Sequence, residues 1–421
     1  MASSSLSAAL VTKLEAAQIA SRALATLTTA QKNHALAAIA EVIDANHSAI
    51  LAANALDIEA GESSGMAEGL LDRLRFTPER LTSLANAVRD VISLPDPVGV
   101  VVRGNDMPNG IHLSQVRVPF GVVGAIYEAR PNVTVDIAAL CIKSGNASVL
   151  RGGSAAENTN TVTVSLIQKA LVSAGLPAEA VQSIDELGRE GATQLMAARG
   201  YVDVLIPRGS ANLINTVVLE SKVPVIETGA GVVHLVIDES ADLAQAVEIA
   251  HNSKVQRPSV CNALETLIVV DSIAEEALPP ILSRLADAGV TLKGDARTRE
   301  IFPTIGLATD EDYATEHMAL EMSVKVVSDL DEAIAHIRRF STKHTESILT
   351  NNVAHADKFL AEVDAAVVMV NASTRFTDGG EFGFGAEVGI STQKLHARGP
   401  MGLPELTSTK WLVRGSGQIR H

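Results

Sequence analysis

The stretch GVVGAIYEARPNVTVDIAALCIKSGNASVLR, residues 121–151, decides the fold class of this chain. Its first apolar run, 121–127, predicts a buried strand, and 148–151 predicts a second one. The spacing of apolar residues over 133–143 predicts a helix between them. Strands joined in this way pair in parallel. We therefore expect an α/β protein with helices on both faces of a parallel sheet.

The same alternation extends in both directions from this stretch. Further strands are predicted at 180–184, 202–206 and 223–226, and helices at 156–174, 190–199 and 210–220. A second series after residue 238 has strands at 264–270, 323–327, 346–350 and 366–370, and helices at 240–252, 272–288, 329–340 and 354–363. Residues 5–95 are typical of helices, and the Gly-, Ser- and Thr-rich tail, 371–421, is typical of loops and an edge strand. We predict two doubly wound α/β domains with a boundary near residue 235.

Composition limits the classes of partner. The chain has 421 residues, 47% of them hydrophobic, and a formal net charge of −15. The apolar content suffices for two domains, and the acidic charge argues against nucleic acid or an anionic membrane as the main partner. The two cysteines, Cys141 and Cys261, provide no disulfide framework. With no signal peptide, spanning segment or metal-binding Cys/His spacing in the sequence, we expect a soluble cytoplasmic protein without a metal.

Cys261 is the first candidate for chemistry, because it lies on the loop that leads into the strand predicted at 264–270. A rigid scaffold can present a side chain from such a loop, and a thiolate is the usual nucleophile for thioester formation. Its position alone also fits an inert apolar filler, since free cysteines are often buried. Cys141 lies inside an apolar helix, and we interpret it as core packing.

Three weaker signals follow predicted strands. Gly209 and Ser210 form a turn between a strand and a helix, where backbone N–H groups and the helix dipole suit a pyrophosphate. Arg151 ends another strand and suits a ribose phosphate. Either turn also fits a plain strand–helix connection, and no G-x-G-x-x-G motif opens a helix. Asn132 suits the donation of its amide to an oxyanion, although it is equally suited to capping a helix.

These signals become specific in combination. In order along the chain come Arg-Pro-Asn after a Gly-containing strand, a Gly-Ser turn, Glu227-Thr228-Gly229 and a cysteine before a strand. This order resembles the aldehyde dehydrogenase superfamily. Within it, the chain resembles the gamma-glutamyl phosphate reductase (glutamate-5-semialdehyde dehydrogenase) family from end to end. The distinctive segments are YEARPNVT (127–134), QRPSVCN (256–262), NASTRFTDGG (371–380) and STQKLHARGPMG (391–402).

The resemblance implies an aldehyde-dehydrogenase-like fold with a small oligomerisation arm beside the two parallel-sheet domains. By this resemblance, residues 1–235 form an NADP-binding domain with an oligomerisation strand near 110–120, residues 236–370 a catalytic domain carrying Cys261, and residues 371–421 a return segment and C-terminal arm. It implies NADPH-dependent reduction of L-glutamate 5-phosphate to the 5-semialdehyde and phosphate, in proline biosynthesis. A homo-oligomer, dimer or tetramer, and coupling to glutamate 5-kinase are further expectations.

The resemblance also assigns roles to residues. It implies a thioester on Cys261, with Asn132 and the Cys261 N–H holding the oxyanion. The remaining assignments concern ligand binding: Arg151, Gly209, Ser210 and Glu321 for the cofactor, and Arg130, Arg257 and Arg375 for the phosphate and carboxylate of the substrate. Glu227 stands where hydrolytic relatives have their water-activating base, and a reductase that forms a thioester has no use for that base.

Two other functions remain open at this point. An oxidising aldehyde dehydrogenase acting on a free aldehyde would also use Glu227 and Cys261, but the three candidate arginines favour an anionic substrate. A non-catalytic scaffold with this fold is the second alternative, and the presence of both Asn132 and Cys261 argues against it.

Overall fold

The structure is a computed structural model that describes residues 6–420, apart from the side chain of Ala211. The chain divides into two compact units. Unit 1 comprises Met1–Thr228, Gly383–Gly389 and Met401–His421, and unit 2 comprises Gly229–Phe382 and Ile390–Pro400. Sequence reasoning had set the boundary near residue 235, and the compact units divide after Thr228.

Unit 1 begins with helices, as expected for residues 5–95. They are α1 (Ala8–Leu24), α2 (Thr29–Ala45), α3 (His47–Ser63), α4 (Glu68–Leu74) and α5 (Pro78–Ser93). Helix α5 begins with a sequence suited to a helix start, because the Thr77 side chain accepts from the Arg80 N–H and Pro78 is the first helical residue. Strands β1 (Val101–Asp106) and β2 (His112–Pro119) follow and pair antiparallel.

A parallel sheet forms the centre of unit 1. Its strands are β3 (Val122–Tyr127), β4 (Ala147–Arg151), β5 (Val181–Ser183) and β6 (Val204–Arg208), in the order β5-β4-β3-β6. The connecting helices are α6 (Pro131–Lys143), α7 (Glu157–Ser173), α8 (Gly188–Ala197) and α9 (Ala211–Glu220). Every residue of β3 is buried, which explains its uninterrupted apolar sequence.

The prediction of a strand at 223–226 is wrong. Val225 makes only an isolated bridge with Leu205. Pro224 lacks an N–H group, so it accepts a hydrogen bond from the Leu205 N–H but cannot donate one to extend a ladder. The other sequence-based strands of this unit are confirmed.

Unit 2 contains a seven-stranded parallel sheet in the order β10-β9-β11-β8-β7-β12-β13. Its strands are β7 (Val233–Ile237), β8 (Leu264–Val270), β9 (Thr291–Gly294), β10 (Gly306–Leu307), β11 (Glu321–Val327), β12 (Thr345–Leu349) and β13 (Val367–Val370). Its helices are α10 (Leu243–Val255), α11 (Asp271–Asp287), α12 (Ala296–Ile301), α13 (Asp310–Ala314), α14 (Leu330–Phe340) and α15 (Val353–Glu362). The prediction at 264–270 is confirmed, whereas β7, β9 and β10 were not predicted.

The last strands are β14 (Gly389–Ser391), β15 (Gly399–Met401) and β16 (Thr407–Arg414). β14 pairs with β15, and β16 pairs antiparallel with β2, which completes a three-stranded sheet in the order β1-β2-β16. This sheet exposes large apolar side chains, among them Val101, Trp411 and Val413. The expected edge strand in the tail is therefore present.

Among the described residues, no single helix has the length and apolar character needed to cross a membrane. One bent pair, Thr29–Ala45 with His47–Ser63, meets those two requirements together across a 70° bend. The buried side chains of α2, such as Leu36, Ile39 and Ile43, belong to the core of unit 1.

Candidate active site

The carboxyl ends of β3, β4 and β6 lie side by side in unit 1. Ile126 pairs with Arg151, and Tyr127 pairs with Arg208, so the residues that follow these strands share one edge of the sheet. Ligands of parallel α/β sheets bind at this edge. The predicted turns at Arg151 and at Gly209-Ser210 are thus brought to a common place, together with the 128–132 segment.

The turn after β6 forms a helix start with a carboxylate at its amino end. The Ser210 side chain caps α9 by accepting from the Leu213 N–H at 3.3 Å. Its hydroxyl donates to Glu128 Oε2 at 3.1 Å. A Cβ atom on Gly209 would approach Glu128 Oε2 to 3.0 Å. The backbone at this helix start therefore accommodates an anionic oxygen, and Glu128 supplies one from the chain itself.

A cavity of about 580 Å³ opens at the same edge of the unit 1 sheet. Two guanidinium groups contribute to its lining, one from Arg151 and one from Arg189 at the start of α8. Its remaining polar lining residues include Glu128, Ser154, Thr193, Asn212 and Thr216. The cavity combines apolar walls with two positive charges, as an anionic nucleotide requires.

The turn after β4 is shaped by close packing. A Cβ atom on Gly152 would lie 2.1 Å from the Asn160 Nδ2 atom, and Gly153 has a φ of +74°. The Gly152 N–H donates to Asp185 at 2.6 Å, and Arg151 Nε donates to the Gly188 carbonyl at 3.3 Å. Only glycine fits both constraints, so this turn presents Arg151 from a fixed backbone.

Asn132 lies inside helix α6 and does not cap it. The N-cap is Arg130, which makes no side-chain capping hydrogen bond. The exposed Asn132 amide instead donates to Asp136 Oδ2 at 3.0 Å. Burial raises the pKa of Asp136 to about 6, against the opposing effects of Asn132 and the Arg208 charge. The capping interpretation of Asn132 is therefore wrong, and its amide is a donor already oriented by a carboxylate.

Cys261 lies in unit 2 on the loop between α10 and β8, as predicted, and is half-buried. The next residue fixes this loop, because the Asn262 amide donates to the Thr377 carbonyl at 2.7 Å and to the Arg375 carbonyl at 3.4 Å. Cys141, by contrast, is fully buried in α6, and burial raises the pKa of its thiol. Of the two thiols, only that of Cys261 is accessible for chemistry.

A glycine segment packs against the backbone of Cys261. A Cβ atom on Gly231 would lie 1.5 Å from the Cys261 carbonyl oxygen and 3.0 Å from its Cα atom. The Gly231 N–H donates to Glu316 Oε1 at 2.7 Å. No side chain fits at residue 231 unless the cysteine moves, so this contact fixes the position of Cys261.

Arg375 and Arg257 provide positive charge around Cys261. Arg375 is half-buried, and its Nε donates to Gln256 Oε1 at 2.7 Å. Burial lowers the pKa of Arg375, the charge of Arg257 lowers it further, and Cys261 acts in the opposite direction. Arg375 thus interacts with both of the other predicted site residues, and positive charge near a thiol favours its thiolate.

Glu321 is the first residue of β11, and Glu316 lies on the segment that leads into this strand. The Glu321 carboxylate pairs with Lys293 Nζ at 2.6 Å, and the hydrogen bond from Lys293 lowers the pKa of Glu321. Glu316, which sequence reasoning missed, contacts the glycine segment at Cys261. Glu227 is half-buried in unit 1, next to Thr228, whose hydroxyl donates to the Pro207 carbonyl at 2.8 Å. Over residues 6–420, no cluster of three or more His, Cys, Asp or Glu side chains is suited to a metal ion.

Comparison with known proteins identifies the family. Residues 4–306 match the aldehyde dehydrogenase family. The gamma-glutamyl phosphate reductase of Leifsonia xyli is 63% identical over 420 residues, covering 100% of both chains. That of Clavibacter michiganensis is 62% identical, covering 97% of this chain and 94% of the relative. The chain belongs to the aldehyde dehydrogenase family, and within it to the gamma-glutamyl phosphate reductases.

The fold of this family member agrees with a solved structure. The crystal structure of the gamma-glutamyl phosphate reductase from Thermotoga maritima superimposes with a TM-score of 0.96 at 47% identity. The match covers 98% of this chain and 100% of that one. The predicted aldehyde-dehydrogenase-like α/β fold and the predicted family are both confirmed.

Sequence reasoning missed three residues of the candidate site, for different reasons. Arg189 follows β5 and was detectable, because β5 belongs to the same parallel sheet as the strands before Arg151 and Gly209. Glu316 and Asp136 were not detectable, because their importance depends on side-chain contacts with Gly231 and Asn132 that no local pattern encodes.

Proposed function

We propose that the thiolate of Cys261 is the nucleophile in the reaction of this chain. The chain is a gamma-glutamyl phosphate reductase that reduces L-glutamate 5-phosphate to L-glutamate 5-semialdehyde with NADPH and releases phosphate, in proline biosynthesis. The observation that carries the assignment of the nucleophile is the grouping of Cys261 with Arg257 and Arg375 on a loop held in place by Asn262.

Cys261 opens the reaction by attacking the acyl phosphate carbonyl. A carbon–sulfur bond forms, the bond between the carbonyl carbon and the phosphate oxygen breaks, and phosphate leaves as an anion without protonation. The Cys261 N–H and the amide of Asn132 are the donors that we propose for the negative charge that develops on the carbonyl oxygen. The product of this step is a thioester on Cys261.

The substrate carries a phosphate and an α-carboxylate, and arginine recognises both groups through paired N–H donors. Arg257 and Arg375 in unit 2 and Arg130 in unit 1 are the proposed ligands. Arg257 is exposed and Arg375 is half-buried beside Gln256, so an incoming anion can reach both residues.

NADPH fits the residues at the sheet edge of unit 1. The cavity at this edge, lined by Arg151 and Arg189 among apolar side chains, suits a phosphorylated nucleotide. Arg151, joined by Arg189, is proposed for the 2′-phosphate, and Gly209 and Ser210 for the pyrophosphate. Exposed Glu128 would turn away from Ser210 to admit that anion. When bound, NADPH would supply a hydride to the thioester carbonyl carbon, and the Cys261 thiolate would then leave as the carbon–sulfur bond breaks and the aldehyde is released.

Glu321 is also proposed for the cofactor, at its nicotinamide ribose. Its carboxylate is already bound to Lys293, so a ribose hydroxyl would share that oxygen or displace the lysine. In the same terms we infer that residues 1–235 are the NADP-binding domain, with the arm strand near 110–120. Residues 236–370 are the catalytic domain, and residues 371–421 the return segment and C-terminal arm.

The oligomeric state and partners are further proposals. The three-stranded sheet β1-β2-β16 exposes apolar side chains along its strands, which suits pairing with a second copy of the chain. We infer a homo-oligomer, dimer or tetramer, held by this arm, in the cytoplasm. Functional coupling to glutamate 5-kinase would protect the reactive acyl phosphate between the two enzymes.

The experiment that tests the function follows NADP reduction with glutamate 5-semialdehyde, with and without inorganic phosphate. In this reverse direction phosphate attacks the thioester, so NADP reduction should require phosphate. The Glu227→Gln variant should keep this phosphate-dependent activity. A hydrolytic dehydrogenase would work without phosphate and would lose roughly 10²–10⁴-fold in rate on Glu227→Gln, because its general base is removed. Full activity without phosphate would reject the reductase mechanism.

A further inference from the structure

A buried ion pair joins the two ends of the loop that carries Cys261. Lys254 lies in the last turn of α10, and Glu265 is the second residue of β8. Lys254 Nζ and Glu265 Oε2 are 2.8 Å apart, and the two side chains are 0% and 1% exposed. The loop 256–263 therefore begins and ends at a fixed distance, which the pair sets.

The same carboxylate also holds a third segment. Glu265 Oε1 accepts from the Met318 N–H at 3.3 Å, and Met318 has a φ of +53°, a left-handed conformation that a residue with a side chain rarely adopts. Two residues earlier, Glu316 accepts from the Gly231 N–H. A continuous set of contacts thus runs from Glu265 through 316–318 to Gly231, which packs against the Cys261 carbonyl.

Stability alone does not account for this pair. Burial lowers the pKa of Lys254 and raises the pKa of Glu265, so both charges lose hydration when the pair is buried. Well-packed apolar residues in place of a buried ion pair are often as stable or more so. The ion pair also contributes geometric specificity, because its hydrogen bonds fix where the loop and the 316–318 segment lie.

We propose that Lys254 and Glu265 are positioning residues that hold Cys261 in its reactive geometry, from the ends of its loop and, through Glu316 and Gly231, from behind its backbone. This inference rests on the proposed role of Cys261 as the nucleophile. Neither residue contacts the reacting atoms, so their effect is on where the thiolate lies and how it faces Arg257 and Arg375.

The test replaces both charges at once, with Lys254→Met and Glu265→Met in one variant, so that no unpaired charge is left buried. The readouts are kcat, KM for the semialdehyde, the Kd of NADPH, and the rate at which iodoacetamide alkylates Cys261, located by mass spectrometry. We expect kcat to fall about 10²-fold, as for a displacement of about 1 Å at a reacting group. We expect slower alkylation, an unchanged Kd of NADPH and a retained melting temperature.

A matched pair in unit 1 provides the control. Lys32 and Asp96 form a similar ion pair at 2.9 Å, with side chains 0% and 10% exposed. The double variant Lys32→Met, Asp96→Met should leave kcat and Cys261 alkylation unchanged, whatever its effect on the melting temperature. An equal loss of kcat and alkylation in this control would overturn the proposal, because any buried pair would then have the same effect.

A milder substitution keeps the proposal testable if the double variant does not fold. The variant Lys254→Gln, Glu265→Gln retains an acceptor for the Met318 N–H and leaves no buried charge, and we expect it to lower both kcat and the alkylation rate. A folded variant of either kind with wild-type kcat and alkylation rate would refute the positioning role. Because alkylation needs no substrate, its rate tests the position of Cys261 even if the enzyme proves to act on another acyl group.

Discussion

The two units present their functional groups at opposite edges of their sheets. In unit 1, Arg151 and Gly209 follow parallel strands and lie at carboxyl ends, where any α/β sheet offers N–H groups to an anion. In unit 2, Cys261 precedes β8 and lies at its amino end. No general feature of the fold prepares that edge for a nucleophile, so dedicated contacts do so: Asn262 with Thr377, Gly231 with the cysteine backbone, and Lys254 with Glu265.

Because of this difference, we expect the two units to respond differently to substitution. The anion-binding edge of unit 1 depends on backbone groups and on a few arginines, so single changes there should weaken binding by moderate factors. The Cys261 loop depends on one thiol and its supports, so changes there should affect kcat.

The largest expected effect is on Cys261 itself. Cys261→Ser should lower reductase activity by roughly 10⁴-fold or more, because the hydroxyl has no strong base to activate it. NADPH binding, measured by fluorescence titration, should remain unchanged. Cys141→Ser should reduce stability more than rate, because Cys141 is fully buried. A dead Cys141 variant beside an active Cys261 variant would reverse the assignment of the nucleophile.

The next largest effect is expected for Asn132→Ala. Removing one oxyanion donor should lower kcat about 10²–10³-fold. The melting temperature should change little, because Asn132 does not cap α6 and its exposed amide donates to Asp136 four residues later. Near-normal kcat would show that the exposed amide serves only this local contact and plays no part in the reaction.

Arg151→Ala and Arg189→Ala should each raise the Kd of NADPH about 10- to 100-fold, the loss of a charge-assisted hydrogen bond. The Kd of NADH, which lacks the 2′-phosphate, should change little. Arg199→Ala is the matched control, because Arg199 is exposed and does not line the cavity. An equal rise in the Kd of NADH would show that these two arginines contact a part of the nucleotide other than the 2′-phosphate.

The smallest expected effect is on the pH dependence of stability, which should differ between the two units. Burial lowers the pKa of His336 in unit 2 to about 3. Its folded pKa lies below its unfolded value, so stability is present above about pH 6.5 and declines as the pH falls. At pH 5 the loss should be about 2 kcal/mol relative to His336→Phe, measured by denaturant unfolding.

Asp136 in unit 1 should show the opposite sign. Its folded pKa is raised to about 6, so its contribution to stability is complete below the unfolded pKa and is lost as the pH rises through about 6. Asp136→Asn should therefore be more stable than the wild type at pH 8 and lose that advantage at pH 4. Hydrogen exchange resolved by unit would show whether the two trends belong to the two units. Equal slopes in both units would contradict the contrast.

Much of the fold was predictable because buried strands leave long apolar runs, as at Val122–Tyr127 and Leu264–Val270. β7 was not predicted: its five residues include a histidine, and they follow a glycine-containing turn without a clear break. The thiol was predictable from its motif and its place before a strand. Its supports, Lys254, Glu265 and Glu316, were not, because their contacts join segments far apart in sequence.

The most direct measurement of the central claim is the capture of the thioester on Cys261. The enzyme is mixed with glutamate 5-semialdehyde and NADP without phosphate, quenched in acid, digested and analysed by mass spectrometry. We expect a glutamyl adduct on the peptide that contains Cys261, absent in Cys261→Ser and lost when phosphate is added before quenching. Steady NADP reduction without phosphate, with no adduct on Cys261 at any time, would contradict the account.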